Sequence, residues 1–215
     1  MFANLTYPMS LLIISTILSE GKLLPFALAG ALISSLALNG ISMAAAIAPQ
    51  REDKYIDLLI VTKVSPTDYM LGELLGQIIW SGPSIVIYLL LDMYFKLLTP
   101  ITFLFTLLIG ILVLLTTTEI AFWLTSFVKS NANVYAMTII LSLVIVTITP
   151  TFYPYTYLPN SILTILKIVP TTSGAMLAQG LFNLEPMHWY LLIVLLVEAT
   201  IFFLIAKHLT RWREK

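Results

Sequence analysis

The sequence predicts an all-α membrane protein with about six transmembrane helices. Hydrophobic residues make up 59% of its 215 positions, and the mean hydropathy is +0.97. Charged residues make up only 10%, whereas soluble domains carry about 25%. The apolar residues also fall into runs of about 20 residues, the length that crosses a bilayer as a helix. We therefore expect one polytopic transmembrane domain over residues 1–215, with lipid as its main solvent.

Several classes of protein are excluded by composition and by missing motifs. The formal net charge is zero, so no overall basic field favours nucleic acid. The absence of cysteine excludes disulfides and thiolate metal sites. There is no GxxxxGK[ST] phosphate loop and no His-Glu-x-x-His, and His188 and His208 flank the last apolar run at opposite membrane faces. We expect no catalytic residues, no metal site, no cofactor bound by this chain and no nucleic-acid partner.

Six apolar runs are predicted to span the bilayer. They cover residues 2–19, 24–48, 68–95, 101–128, 134–149 and 189–206. The first is the weakest, because its apolar run is short and Pro8 interrupts it. The second is rich in Ala, Gly and Ser, which favours close helix packing.

The orientation follows from the distribution of Lys and Arg. With six spans, both termini lie on one side, together with eight basic residues: Arg51, Lys54, Lys63, Lys129, Lys207, Arg211, Arg213 and Lys215. The other side holds three, namely Lys22, Lys96 and Lys167. This bias predicts a multi-pass protein of the cell membrane with both termini in the cytoplasm.

Residues 50–63 are predicted to form a short amphipathic helix on the cytoplasmic membrane surface. Polar side chains recur at helical spacing along one face: Gln50, Asp53, Lys54 and Asp57. Apolar side chains share the opposite face: Tyr55, Ile56, Leu59 and Ile60. Such a helix lies with one face at the lipid boundary and the other in water. Ser65, Pro66 and Asp68 then predict a capped start for the next helix.

Residues 150–186 form the least regular region, which the topology places outside. Five prolines break it: Pro150, Pro154, Pro159, Pro170 and Pro186. The two apolar pieces between them, residues 160–169 and 171–182, are each too short to cross. Two half-length helices entering from the outer face fit best, with protein covering their irregular backbone.

Both irregular regions resemble one family, the ATP-binding cassette transporter permeases of the type-2 exporter class. In the first, the matching residues are Arg51, Asp57, Leu58, Leu59, Thr62, Val64, Ser65, Pro66 and Gly72. Gln50, Lys54, Lys63 and Glu73 differ from the family pattern. In the second, Phe152, Pro154, Leu158, Pro159 and Pro170 are similar to the family's outer re-entrant hairpin.

The resemblance implies a permease that dimerises, as a homodimer or heterodimer, and exports its substrate along the dimer interface. It also implies a separate nucleotide-binding ATPase subunit, which uses ATP and Mg. The expected docking residues are Arg51, Glu52, Asp53, Lys54, Asp57, Leu58, Thr62, Ser65 and Pro66. A charged loop that only fixes topology is the plainer alternative, but Asp and Glu contribute little to orientation, so their alternation with Lys and Arg favours docking.

Four carboxylates lie inside predicted spans, where an acid is a functional candidate by default. Asp92 is close to Lys96 and the outer interface, and Glu73 is near the inner end of its span. Glu119 and Glu198 each lie about 14–15 Å from the inner surface, counting 1.5 Å per residue. They are expected either to be locally satisfied helix contacts or to form, with Thr116 and Thr117, a pathway for protons or cations. A stand-alone ion-coupled carrier or channel is therefore the alternative function.

Overall fold

The computed structural model describes residues 2–209, except residues 54, 56, 57, 59, 60, 63 and 129. These residues form helices and no strands, which confirms the all-α prediction. The helices are α1 (Phe2–Leu18), α2 (Leu24–Glu52), α3 (Pro66–Tyr94), α4 (Pro100–Thr125), α5 (Asn131–Thr147), α6 (Asn160–Leu166), α7 (Pro170–Leu181) and α8 (Tyr190–Leu209), with a 3₁₀ turn at Tyr155–Tyr157.

Among the described residues, four helices are long and apolar enough to cross a membrane: α2, α3, α4 and α8. Helices α1 and α5 are apolar but have only 17 residues each, at the lower limit of about 17 residues for a span. Helices α6 and α7 together have the length and composition of one further span, but they are bent by 113° at the break between them. The total of six spans stays a prediction.

Helix α2 lies at the centre of the bundle and contacts α1, α3, α4, α5 and α7. Its most apolar stretch is 83% buried, whereas those of α3 and α8 are each 22% buried. Small residues occupy much of its surface: Ala27, Ala29, Gly30, Ala31, Ser34, Ser35, Ala37 and Gly40 are all buried. Helices in lipid gain from van der Waals contact rather than from leaving water, so small residues permit the close approach that holds them together.

Two glycines show how close this approach is. A Cβ at Gly30 would overlap the backbone of Thr151, in the loop after α5. A Cβ at Gly40 would overlap the Thr117 hydroxyl of α4 and lie 2.8 Å from the Leu114 carbonyl oxygen. The centre of the bundle therefore depends on the absence of side chains at these positions.

The observed helix ends refine the predicted ones. Helix α2 continues through Pro49 to Glu52, four residues beyond the predicted end of the second span. The predicted capping box at the start of α3 is confirmed. The Ser65 hydroxyl accepts from the Asp68 amide at 3.1 Å, and the Asp68 carboxylate accepts from the Ser65 amide at 3.1 Å. This cap satisfies two amide groups that the first turn of a helix leaves unpaired.

We expect Gly30→Ala to destabilise the protein and Gly72→Ala to leave it unchanged or slightly more stable. Both glycines lie inside helices, so both changes gain about 1 kcal/mol of helix propensity. At Gly30 the new methyl group must displace the Thr151 backbone, at a cost of about 1–3 kcal/mol or more. At Gly72 nothing lies within 4 Å of the new carbon. Thermal unfolding in detergent compares the two variants, and equal melting temperatures would contradict the central packing of Gly30.

Candidate functional site

The segment between α2 and α3, residues 53–65, is called the surface segment here. Helix α2 includes Gln50, Arg51 and Glu52 and is capped at Asp53, so the expected docking residues begin inside α2. The predicted residues Lys54, Asp57 and Lys63 lie outside the described residues. Tyr55, Leu58 and Val61 are helical, with exposed fractions of 48%, 65% and 81%, and Thr62 is an exposed turn residue.

The two ends of the surface segment are joined by side chains of α2 and α3. The Tyr69 hydroxyl of α3 donates to the Gln50 side-chain oxygen of α2 at 2.5 Å. The Gln50 amide donates in turn to the Glu73 carboxylate at 3.4 Å. Because Gln50 lies three residues before the segment and Tyr69 four residues after it, these bonds close the loop at its base.

Two more helix ends meet at the same place. Asn131, the first residue of α5, donates a hydrogen bond from its side chain to the Glu52 carboxylate. The Tyr69 ring packs edge-on against Phe122 near the end of α4, with 5.7 Å between the ring centroids. We call Gln50, Glu52, Tyr69, Glu73 and Asn131 the junction. The ends of α2, α3, α4 and α5 thus meet at the base of the surface segment.

The opposite end of the bundle holds the two short helices, α6 and α7, which we call the elbow. Both were predicted from the prolines, and Pro170 occupies the first turn of α7. All twelve residues of α7 are buried. A Cβ at Gly174 would lie 2.6 Å from a Val113 methyl carbon of α4 and 3.1 Å from one of Ile33 of α2. Protein therefore covers α7, whereas Ile162 and Ile165 of α6 and Ile168 at the break are exposed.

Gln179 of α7 holds the loop that precedes the elbow. Its amide nitrogen donates to the carbonyl oxygens of Pro150 at 2.8 Å and of Tyr153 at 3.0 Å. Its side-chain oxygen accepts from the Tyr155 amide at 3.3 Å. Gln179 is fully buried. One side chain thus satisfies three backbone groups that have no partner in regular secondary structure.

Polar and aromatic side chains line the outside of the elbow. Pro154 caps the 3₁₀ turn and Pro159 caps α6. The Tyr155 hydroxyl lies 3.1 Å from His188 Nε2 and donates to the Pro186 carbonyl at 3.3 Å. Burial, and then Glu185 and Tyr190, raise the pKa of Tyr155, so its hydroxyl keeps its proton. The Lys167 ammonium donates to the Tyr190 hydroxyl at 2.8 Å.

Glu119 of α4 and Glu198 of α8 are both buried, with exposed fractions of 3% and 9%. In each, the Oε2 atom has no hydrogen-bond partner among the described residues. The neighbouring Thr116 and Thr117 hydroxyls donate to carbonyl oxygens of their own helix, at 2.8 Å to Leu112 and 2.7 Å to Val113. These threonine hydroxyls are therefore satisfied within α4.

Glu119 and Glu198 lie at different heights along the bundle. At the elbow end, the rings of Phe105 in α4 and Trp189 before α8 lie 6.2 Å apart. Both helices run from the elbow end towards the surface-segment end. Glu119 is 14 residues beyond Phe105 and Glu198 is nine beyond Trp189. The difference of five residues corresponds to roughly 7 Å along the helix axis, and no hydrogen bond joins these two described residues.

The structure adds information on three further residues. Asp92, assigned by sequence to the outer interface, is fully buried, and neither carboxylate oxygen has a hydrogen-bond partner among the described residues. Tyr69 and Gln179 join distant parts of the chain. A lone Gln in the apolar run of α7 is the one sequence signal that could have found Gln179, because a buried amide needs partners.

These features define a multi-pass membrane protein with a surface segment at one end and a broken helix pair at the other. A family model described as ABC-2 family transporter protein matches residues 4–207. The chain belongs to this family, and it is a membrane transport component. A search of curated proteins finds no match.

We expect Gln179→Leu to destabilise the elbow. The change leaves the Pro150 and Tyr153 carbonyls and the Tyr155 amide unpaired, at about 1–3 kcal/mol for each buried group. Gln77→Leu is the matched control, because the Gln77 amide donates only to the Met43 sulfur, at 2.9 Å, and sulfur is a weak acceptor. Thermal unfolding and proteolysis of residues 150–159 measure the effect. Equal stability of both variants would contradict the role of Gln179.

Proposed function

We propose that this chain is the permease subunit of an ABC exporter, driven by a separate ATPase that docks on the surface segment. The family supports the transport role. The observation that carries the coupling is the junction, since its hydrogen bonds tie both ends of the surface segment to the bundle. A loop that only connected two spans would not need this closure.

The surface segment offers the chemistry of a protein-docking site. Its exposed apolar side chains, Tyr55, Leu58 and Val61, lie among residues of both charges, such as Asp53 and, by sequence, Lys54. Apolar anchors in a groove supply affinity, and mixed charges fix register and partner choice. The partner's cleft would receive the segment, and the partner would bind and hydrolyse ATP with Mg.

The proposed mechanism is alternating access. Nucleotide binding closes the pair of ATPase subunits and displaces the surface segment. Because Tyr69 and Gln50 hold its two ends together, the displacement passes to α2 and α3 as one movement rather than being absorbed in the loop. Helix α2 contacts five other helices, so its movement repacks the bundle around it. ATP hydrolysis and the release of ADP and phosphate then reverse the change.

The substrate pathway is proposed to lie between this chain and a second permease chain, identical or related. The termini and the surface segment lie in the cytoplasm in this proposal, supported by the eight-to-three distribution of basic residues. The spans carry no ring of charge, which favours an apolar or amphipathic cargo.

A stand-alone ion-coupled carrier is the second candidate, supported by the two buried glutamates. An unpaired carboxylate in a low-dielectric site is costly, so Glu119 and Glu198 must gain a proton, a cation or a rearranged partner. A carrier of this kind needs no ATPase, and the two candidates therefore separate experimentally.

We expect an ATPase encoded beside this chain to co-purify with it, and to be lost when Asp53, Lys54 and Asp57 are changed together to Ala. These changes remove three of the five docking charges and leave Arg51 and Glu52 of α2 in place. The control changes Glu20, Lys22 and Lys96 to Ala, at the other end, and should retain the ATPase. Retention by the first variant, or no co-purifying ATPase, would reject docking at this segment.

A second variant tests the coupling within the same complex. Tyr69→Phe removes only the hydroxyl that reaches Gln50, so the ATPase should still bind while transport per ATP hydrolysed falls. Tyr135→Phe, at an exposed tyrosine of α5, is the control and should transport normally. Normal coupling in Tyr69→Phe would show that the hydrogen bond from Tyr69 to Gln50 does not transmit movement.

The carrier alternative predicts that Glu119→Gln with Glu198→Gln abolishes transport. Glutamine keeps the shape of each side chain but cannot exchange a proton. Under the exporter proposal, the double variant keeps ATP-dependent transport in proteoliposomes, and its pH dependence is unchanged. Transport that needs no ATP, and that is lost completely in a folded double variant, would favour the carrier.

A further inference from the structure

Helix α3 has two residues near its middle that disfavour a helix. Pro83 lies 17 residues after Pro66 and 11 before Tyr94, the two ends of α3, and Gly82 directly precedes it. In a helix interior, proline is the most unfavourable residue and glycine is the next. The other long helices avoid this combination, because α4 and α8 contain no proline beyond the first turn and Pro49 of α2 lies in its last turn.

Packing within this chain gives no reason for either residue. Gly110 of α4 admits Leu36 of α2, whose methyl carbon lies 2.5 Å from the position of an added Cβ. At Gly82, by contrast, nothing lies within 4 Å of that position. Pro83 is exposed, and Ile79, one turn before it, is 78% exposed. This side of α3 therefore faces lipid in a membrane.

Pro83 weakens the helix on its lipid-facing side. It has no N–H group, so the Ile79 carbonyl loses its helical partner, and the proline ring pushes that carbonyl away. A helix with such a gap bends away from the side of the gap. Gly82 has no side chain to restrict the backbone at the same point. A change in the bend therefore moves the first half of α3 towards or away from the rest of the bundle.

The buried side of α3 carries a polar group that can accommodate the bend. Ser81 is fully buried, and its Oγ atom has no hydrogen-bond partner among the described residues. The threonine hydroxyls of α4 differ, because Thr116, Thr117 and Thr118 each donate to a carbonyl of their own helix. Serine and threonine hydroxyls re-satisfy carbonyls that a broken helix leaves unpaired. The Ser81 hydroxyl is therefore available to a carbonyl that bending releases.

Different parts of the bundle hold the two halves of α3. In the first half, the Tyr69 hydroxyl donates to Gln50 of α2 at 2.5 Å. In the second half, the Tyr88 hydroxyl donates to the Leu5 carbonyl of α1 at 2.8 Å, and the next residue, Leu89, is buried in the core. The weak point lies between these two attachments, so one half can move while the other keeps its partner.

We propose that Gly82 and Pro83 form a hinge in α3. The half of α3 at the elbow end stays with α1, while the half that begins at the surface segment changes its angle. Tyr69 and Glu73 of the junction belong to the moving half. The hinge therefore lets the base of the surface segment shift without displacing the other end of α3. This property belongs to the chain itself and does not need the ATPase of the proposed function.

Distances between pairs of nitroxide labels test the hinge in the full chain in nanodiscs, without a partner. The chain has no cysteine, so introduced cysteines are the only labelled sites, and an excess of unlabelled chain removes distances between copies. One pair, Leu71→Cys with Leu204→Cys, spans α3 and α8 at the surface-segment end. The other, Leu90→Cys with Ile193→Cys, spans them at the elbow end. All four residues are exposed.

The length of the moving half sets the expected result. Leu71 lies 12 residues, or about 18 Å, from Pro83, so a bend of about 20° displaces it by about 6 Å. We expect the distance distribution at the surface-segment end to be broader than that at the elbow end by several ångströms. Equal widths overturn the proposal.

Two matched double variants separate the hinge from general flexibility of α3. Gly82→Ala with Pro83→Ala restores the missing N–H and should narrow the distribution at the surface-segment end to the width at the elbow end. Gly72→Ala with Gly76→Ala also changes two positions of α3, and nothing lies within 4 Å of either added carbon, so the width should not change. An unchanged width in the first variant, or equal narrowing in both, overturns the proposal. If the first variant does not fold, the two widths of the wild-type chain still decide.

The consequence for transport rests on the proposed function. In the complex with the ATPase, Gly82→Ala with Pro83→Ala should retain the partner but transport several-fold less per ATP hydrolysed. Gly72→Ala with Gly76→Ala should transport normally. Normal transport by the first variant overturns the use of the hinge in coupling. Failure of any ATPase to bind the wild-type chain overturns the proposed function instead, and the label distances then decide on the hinge alone.

Discussion

The close packing of small residues along α2 is the constraint on which the structure depends. In lipid, an apolar helix gains little by leaving its surroundings for another apolar helix, so the gain comes from tight atomic contact. Gly30, Gly40 and the alanines between them give α2 a surface on which α1, α3, α4, α5 and α7 can lie closely. Larger side chains at these positions would push the neighbouring helices away from α2, and most of that contact would be lost.

The same helix connects the two ends of the protein. Its 29 residues extend about 43 Å at 1.5 Å per residue. Its last turn carries Gln50 and Glu52 of the junction, and Gly30 and Ile33 in its first half contact Thr151 and α7. Rotation or translation of α2 would therefore reach both the surface segment and the elbow without a chain of intermediate movements.

The sequence predicted those features that depend on local chemistry. Apolar runs located the long helices, Ser65 and Asp68 marked the cap, and the prolines located the elbow. The second span was predicted to end at residue 48, but α2 continues through Pro49 to Glu52, since a bundle can re-satisfy the carbonyl that a proline leaves unpaired. Partners across the fold were not predictable. Tyr69 with Gln50, Gln179 with Pro150, and the offset of Glu119 from Glu198 all depend on how helices slide past one another, which no single helix encodes.

The burial of α2 also has a consequence for biogenesis. Helices leave the ribosome in chain order, so α2 enters the membrane before α3, α4, α5 and α7 exist to cover it. Its mean hydropathy is 1.7, below the 2.3 of α4 and α8. Until α3 and α4 have been made, a modestly apolar helix with an uncovered glycine and serine surface has only α1 beside it in the lipid. During that interval an insertase or membrane chaperone would bind the uncovered surface of α2. The nascent chain is also most susceptible to degradation by quality-control proteases during that interval.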